Sequence, residues 1–160
     1  MDVRQPDPNE IDHLAKVWHE AWQDAHAAIL PAELARDRTE ENFRKRLETM
    51  LPHTRVVGPH GGALGFCVLK GDELYQLFVA AGARGTGVAA ALIADGEARL
   101  RSSGVDVAWL ACAIGNTRAA KFYEKHGWHL ARTYTSHLET ANGTFDLDAW
   151  RYEKRLHARE

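Results

Sequence analysis

Leu77-Phe78-Val79-Ala80-Ala81-Gly82-Ala83-Arg84-Gly85-Thr86-Gly87-Val88-Ala89-Ala90-Ala91-Leu92-Ile93 decides how the rest of the chain is read. An apolar, strand-like run meets a turn of small residues, and the turn opens into a helix-forming stretch. Gly85 and Gly87 stand where a chain turns sharply and lets another molecule come close. The amides from Gly85 to Ala89 are then the unpaired donors of a helix N-terminus, which favours a phosphate or another anion. Arg84 adds a full positive charge at the same spot. On these grounds the stretch is a phosphate-binding candidate.

Working outward, Glu73 to Val79 reads as the strand that feeds this turn, and the helix from about Gly85 to Ser103 stops near Gly104. Upstream, Thr54–Val57 and Ala63–Leu69 are short apolar runs separated by Gly58-Pro59-His60-Gly61-Gly62, a hairpin signal. Lys70-Gly71-Asp72 is a second tight turn, so the strand at Glu73–Val79 closes an antiparallel meander. Downstream, Val105–Ala113 is a strongly apolar strand. A helix from about Asn116 to His126 follows, with Gly127 placed as its C′ residue. Two final strands, Trp128–Glu139 and Thr144–Lys154, are joined at Ala141-Asn142-Gly143. Before the meander, Ile11, Leu14, Ala15, Trp18, Trp22, Ala25 and Ile29 fall at helical spacing after Pro8. Pro31 marks a boundary, and Thr39 is the N-cap of a second helix ending near Leu51. The expectation is one α+β domain over 1–160, with a mixed, mostly antiparallel central sheet flanked by helices.

Composition agrees with such a domain. The 160 residues are 45% hydrophobic and 26% charged, ordinary values for a globular chain with its own core. A net charge of −2 gives no electrostatic reason to expect nucleic acid. Neither an apolar leader nor a membrane-spanning run is present, so a cytoplasmic location is expected. Cys67 and Cys112 lie in apolar runs without metal-ligand spacing and read as buried thiols. His13, His19 and His26 are not at i, i+4 spacing either, so no metal is expected.

The glycine turn alone is ambiguous. Gly85, Gly87 and Ala90 also fit a variant dinucleotide fingerprint, which wants an acidic partner at the far end of the next strand. Asp106 has about the right separation but stands near the start of its strand, and the strand before the turn belongs to a meander. A P-loop needs Gly-Lys-Ser or Gly-Lys-Thr, which is missing. The second half of the chain resolves the matter. Arg84-x-x-Gly87-x-Ala89 matches the R/Q-x-x-G-x-G/A motif of the GCN5-related N-acetyltransferase (GNAT) family. Asn116-Thr117-Arg118-Ala119-Ala120-Lys121-Phe122-Tyr123-Glu124-Lys125-His126-Gly127-Trp128 resembles the family's N-x-x-A-x-x-F-Y-x-x-x-G-F, with Trp128 in the usual Phe position. The resemblance covers about residues 54 to 155.

The resemblance implies acetyl-CoA as co-substrate, lying between the strands at Glu73–Val79 and Val105–Ala113. It implies that the amides of Arg84, Gly85, Thr86, Gly87, Val88 and Ala89 hold the pyrophosphate. The backbone at Leu77, Phe78 and Val79 would take the pantetheine as an added strand, with Asn116, Ala119, Phe122 and Tyr123 on the other side. The Val79 amide would stabilise the oxyanion, and Tyr123 would give a proton to the departing thiolate. Glu73 is the candidate base and acceptor-side residue. Some protein N-terminal acetyltransferases place their glutamate five residues before the motif asparagine, which here is Ala111. Trp18 and Trp22, on a helix that borders the acceptor groove in relatives, are candidate substrate contacts. The implied activity is direct transfer of acetyl to a primary amine of a small molecule or peptide, with a homodimer also within the family's habits. The alternative is a non-catalytic acyl-CoA-binding domain of the same fold.

Several of these residues also have structural explanations. Asn116 makes a good helix N-cap, Tyr123 and the two tryptophans suit a core, and Glu73 suits an exposed strand position. Lys121 and Lys125 share a helical side that could meet a phosphate or simply face water.

Overall fold

Alternation of apolar residues along short strands, interrupted by helices with one apolar face, builds a sheet covered on both sides. The computed structural model describes residues 1–157. Seven strands are present: β1 (Val3–Arg4), β2 (Thr54–Val57), β3 (Gly65–Lys70), β4 (Glu73–Val79), β5 (Val107–Ala113), β6 (His129–Thr140) and β7 (Gly143–Arg155). They lie in the order β1-β2-β3-β4-β5-β7-β6. Every pairing is antiparallel except β4 with β5. Those two are joined by the crossover helix α4 (Val88–Ser102).

Helices α1 (Ile11–His26), α2 (Ala32–Asp37) and α3 (Glu40–Met50) precede the meander, and α5 (Thr117–Lys125) follows β5. The core accordingly splits in two. Leu14, Trp18 and Trp22 of α1 join Phe43 and Leu47 of α3 over Val56, Phe66 and Val68. On the other face Val88, Leu92, Ile93 and Leu100 of α4, with Ala120 and Tyr123 of α5, cover Cys67, Leu74, Ala108 and Leu110. The strand period of two explains why Phe66 and Val68 go one way while Cys67 goes the other.

At Gly65 a β-carbon would lie 2.9 Å from the Phe78 carbonyl oxygen and 3.0 Å from Val88 Cγ1, so only glycine lets α4 settle here.

Element boundaries shift from the sequence expectations for identifiable reasons. Thr39 does cap α3, accepting from the Asn42 amide at 3.1 Å. The first helix ends at His26 rather than Ile29, and α2 is too short for a helical period to reveal it. β1 is two residues paired at the sheet edge. Val105 is not strand: its amide donates to Leu100 C=O and the Gly104 amide to Arg101 C=O, a left-handed cap on α4. Gly127 repeats this device on α5, the Trp128 amide donating to Tyr123 C=O at 3.0 Å, so β6 starts at His129. The last hairpin pairs Thr140 with Gly143. Its two-residue loop is therefore Ala141-Asn142, and Gly143, at φ 104°, opens β7.

Candidate functional site

The site begins with a break in the sheet. β4 and β5 pair only at Glu73 and Trp109, where the Trp109 amide donates to Asp72 C=O at 3.2 Å and its indole to Asp72 Oδ1 at 3.0 Å. Beyond that point the strands part. A bulge accompanies the parting: Val68 pairs with Gln76 while Leu69 pairs with Leu74, leaving Tyr75 as the extra residue. Between the strands and the helices over them lies a cleft of about 1290 Å³.

Along β4 the Ala80 amide donates to Leu64 C=O of the β3 side at 2.8 Å. Alternation then turns the backbone groups of Val79 and Leu77 towards the gap and those of Phe78 towards β3. The candidate residues Glu73, Leu77, Phe78, Asn116, Ala119, Tyr123, Trp18 and Trp22 all line the cleft. Val79 and Phe122 do not; Phe122 stacks on Tyr123 at 5.5 Å between ring centroids and meets His126 edge-on. The turn from Arg84 to Ala89 lies outside the cleft lining, with Arg84, Gly85, Thr86 and Gly87 exposed and Val88, the first residue of α4, buried against the sheet. Gly85 and Gly87 have φ of 75° and 91°, and Gly87 is the N-cap of α4. The Thr86 hydroxyl donates to Ala83 C=O. Arg84 pairs with Asp24 of α1, whose carboxylate also lies 3.7 Å from Arg118 of α5.

Tyr123 is buried, and burial drives its phenol well above the ordinary range, with the neighbouring Cys112 and Cys67 adding to the effect. Cys112 shares the cleft wall, its thiol pushed up to about 12 by burial. A thiol in that state is protonated and a poor nucleophile. Glu73 is half-buried, and desolvation raises its carboxyl to about 7, Asp72 reinforcing the shift while Lys70 and Arg151 oppose it. Asn116 performs the capping role, accepting from the Ala119 amide at 3.3 Å, and still borders the cleft. Trp18 is likewise both core and wall: it is 1% exposed and stacked on Phe43 at 4.4 Å. Lys121 and Lys125 are exposed.

Sequence reasoning missed the far end of the cleft. Arg38, Arg46, Lys70, Tyr75 and Tyr134 line it, and His26, held down to about 4 by burial, joins the wall near Phe78. One signal was available: Arg46 falls among Phe43, Leu47 and Met50, on the apolar side of α3. Elsewhere, Asp7, Glu10 and His60 bring one ligand atom each within 4.8 Å of the others. Glu10, however, already accepts from Arg4 at 2.9 and 2.8 Å, the Asp7 amide at 2.8 Å and the Gly61 amide at 3.0 Å. Those four bonds make it a clamp between the N-terminal strand and the β2–β3 hairpin.

No described helix is long and apolar enough to cross a membrane.

The profile of the Acetyltransferase (GNAT) family matches residues 14–128. A search of curated protein sequences gave no significant match. Among solved structures, the chain is similar to a GCN5-related N-acetyltransferase from Rhodopseudomonas palustris, with TM-score 0.76 and 21% identity over 96% of this chain and 94% of that one. It is also similar to the PaiA N-acetyltransferase of Thermoplasma acidophilum in complex with coenzyme A, with TM-score 0.69 and 16% identity over 96% and 98% of the two chains. A third is YncA, a putative acetyltransferase from Salmonella typhimurium with its cofactor acetyl-CoA, with TM-score 0.71 and 15% identity over 100% and 96%.

Proposed function

The chain belongs to the acetyltransferase (GNAT) family, and from that premise we propose that it transfers the acetyl group of acetyl-CoA to a primary amine by direct attack in a ternary complex. The observation that carries the reading is the single cleft through the parted β4 and β5, with Glu73 and Tyr123 both on its walls.

The chain's own groups suit acetyl-CoA at each point. The open turn at Gly85 and Gly87 and the first amides of α4 offer donors to a pyrophosphate. Arg84 can exchange its exposed Asp24 partner for a phosphate, since exposed pairs are worth at most about 1 kcal/mol. The gap-facing groups of Leu77 and Val79 suit an extended pantetheine, and Asn116 and Ala119 border it from α5. The Val79 amide then serves as the oxyanion donor.

An amine of the lysine type, with pKa about 10.4, costs roughly 4–5 kcal/mol to deprotonate at pH 7. Glu73 is the group in the cleft suited to take that proton: its carboxyl near 7 is substantially ionised at neutral pH yet basic enough to accept. Tyr123 acts at the leaving sulfur. Because burial holds its proton firmly, it stays protonated and donates a hydrogen bond that stabilises the growing charge on a thiolate of pKa about 8.5. Cys112 has no part as an acyl carrier while its thiol stays protonated.

The test is thiol release from acetyl-CoA across a panel of amines, in the parent and in Tyr123→Phe. Turnover is expected to fall about 10²–10⁴-fold in the variant, with KM for acetyl-CoA unchanged. Tight CoA binding without turnover on any amine would identify a binding domain instead. Full activity in Tyr123→Phe would remove the tyrosine from the chemistry.

A further inference from the structure

We propose that the amine accepted by this chain also carries a carboxylate, and that Arg46, with Lys70 and Arg38 around Tyr75, is the group that recognises it. The inference rests on the acetyl-transfer reading and names its acceptor class.

Arg46 faces inward from α3. Its guanidinium lies 4.5 Å from the Trp18 ring and 5.7 Å from that of Phe43, and it donates to the Tyr75 hydroxyl at 3.1 Å. Among the described residues no carboxylate lies within ion-pair distance of it. A guanidinium has five N–H donors in a planar fork, and here one of them is used. A stacked, half-buried arginine with free donors matches a carboxylate better than it matches anything else in the cleft.

The surroundings strengthen the case. Lys70 Nζ sits 4.9 Å over the Tyr75 ring. Arg38, 5% exposed, lies close enough to Arg46 that the two positive charges oppose each other. Arg38 has its own partner in Asp37 at 2.9 Å, and the other oxygen of Asp37 accepts from the Ala141 amide. Three cations therefore gather about one tyrosine; Asp37 beside Arg38 is already committed, and Glu73 stands across the strands from Lys70, so among the described residues Arg46 is the cation with no carboxylate of its own. Glu33 and Glu41 belong to the exposed rim, and Glu41 is paired with Arg44. Such an arrangement is relieved by an incoming anion.

The position also fits. Tyr75 stands two residues beyond Glu73 on β4, roughly 7 Å along the strand. An amine set against Glu73 leaves a carboxylate of the same small molecule within reach of Arg46. A site built to bond a group rejects analogues lacking it far more strongly than an apolar pocket does.

The test compares matched acceptors: α-amino acids, their carboxamides, and the corresponding decarboxylated amines, each with acetyl-CoA. The carboxylate form is expected to win by about 10²-fold or more in kcat/KM. Arg46→Met keeps an apolar stem over Trp18, and it should raise KM for the carboxylate acceptor about 10²-fold while leaving KM for acetyl-CoA in place. Arg46→Lys keeps the charge without the fork and should fall between the two. A purely structural Arg46 would instead lower the melting temperature and preserve the preference, which overturns the inference. Equal or better use of the carboxamides and decarboxylated amines by the parent also overturns it, with the acetyltransferase reading intact. No acetylation of any acceptor, with CoA bound, removes that reading and this inference with it.

Discussion

Glu73→Gln separates two consequences of one carboxyl. In the folded chain burial holds Glu73 up to about 7, against an ordinary 4.5. Between those two pH values the folded form keeps a proton that the unfolded form has released. Stability from this group is thus full below about 4.5 and is lost as pH rises to about 7. At about 1.36 kcal/mol per pH unit the gap is about 3 kcal/mol, and partial exposure of the side chain screens it to about 1–2 kcal/mol. Glutamine has no charge to desolvate. Urea unfolding at pH 8 should therefore show the variant about 1–2 kcal/mol more stable than the parent, and the two should nearly coincide at pH 4. Activity moves in the opposite sense. The parent's kcat/KM should climb through about pH 7 as the carboxylate form appears, and the variant should lose that limb with about 10²–10⁴ of the rate at pH 8. A limb at pH 7 that survives in Glu73→Gln places the base elsewhere. A variant no more stable than the parent at pH 8 means the carboxylate is well solvated, and the argument from burial fails.

Two further substitutions probe the frame around the cleft. Gly87→Glu forces a side chain into φ 91° and sets a carboxylate at the start of α4. The strain alone is about 1–2 kcal/mol, and calorimetric titration should show CoA binding lost with the circular dichroism of the fold retained; normal CoA binding would contradict the anion-site reading. Trp128→Phe restores the residue usual in the family's motif but removes the indole bond to Glu97 Oε2 at 3.2 Å. Glu97 keeps Lys154 at 2.6 Å, so the expected loss is about 1–2 kcal/mol in urea unfolding with KM for acetyl-CoA unchanged; unaltered stability would show the bond to be idle.

The proposed cofactor half of the site is legible because it is local. Gly85 and Gly87 turn the chain, Asn116 caps α5, and Tyr123 accepts the cap bond that Gly127 makes possible, each within one turn or helix. The proposed acceptor half is not local. Arg38 reaches from the end of α2 to Glu139 C=O of β6, and Arg46 of α3 reaches Tyr75 of β4. No spacing rule joins residues brought together by tertiary packing, although an arginine on the apolar side of α3 was visible. The strands after α4 and α5 begin one or two residues later than Trp128 and Val105 suggest, because a left-handed cap spends that apolar residue on the helix.

The least legible feature has the widest consequence. Leu74-Tyr75-Gln76-Leu77 contains no glycine or proline to announce a bulge, and alternation along it would send Leu74 and Leu77 to opposite faces. Instead both pack with α4, as Val79 does, while Tyr75 and Phe78 pack with α1 and α3. Only an extra residue permits that, and the pairing with β3 supplies it at Tyr75. The phase before the bulge puts Glu73 and Tyr75 at the proposed acceptor end. The phase after it puts Phe78 against Phe66 and Trp18, and turns the backbone of Leu77 and Val79 into the gap. Without the extra residue Phe78 would exchange faces with Leu77, and the edge proposed to receive the cofactor would present the wrong amides. Two short sequence phases on one strand therefore join the proposed cofactor half of the cleft to the proposed acceptor half.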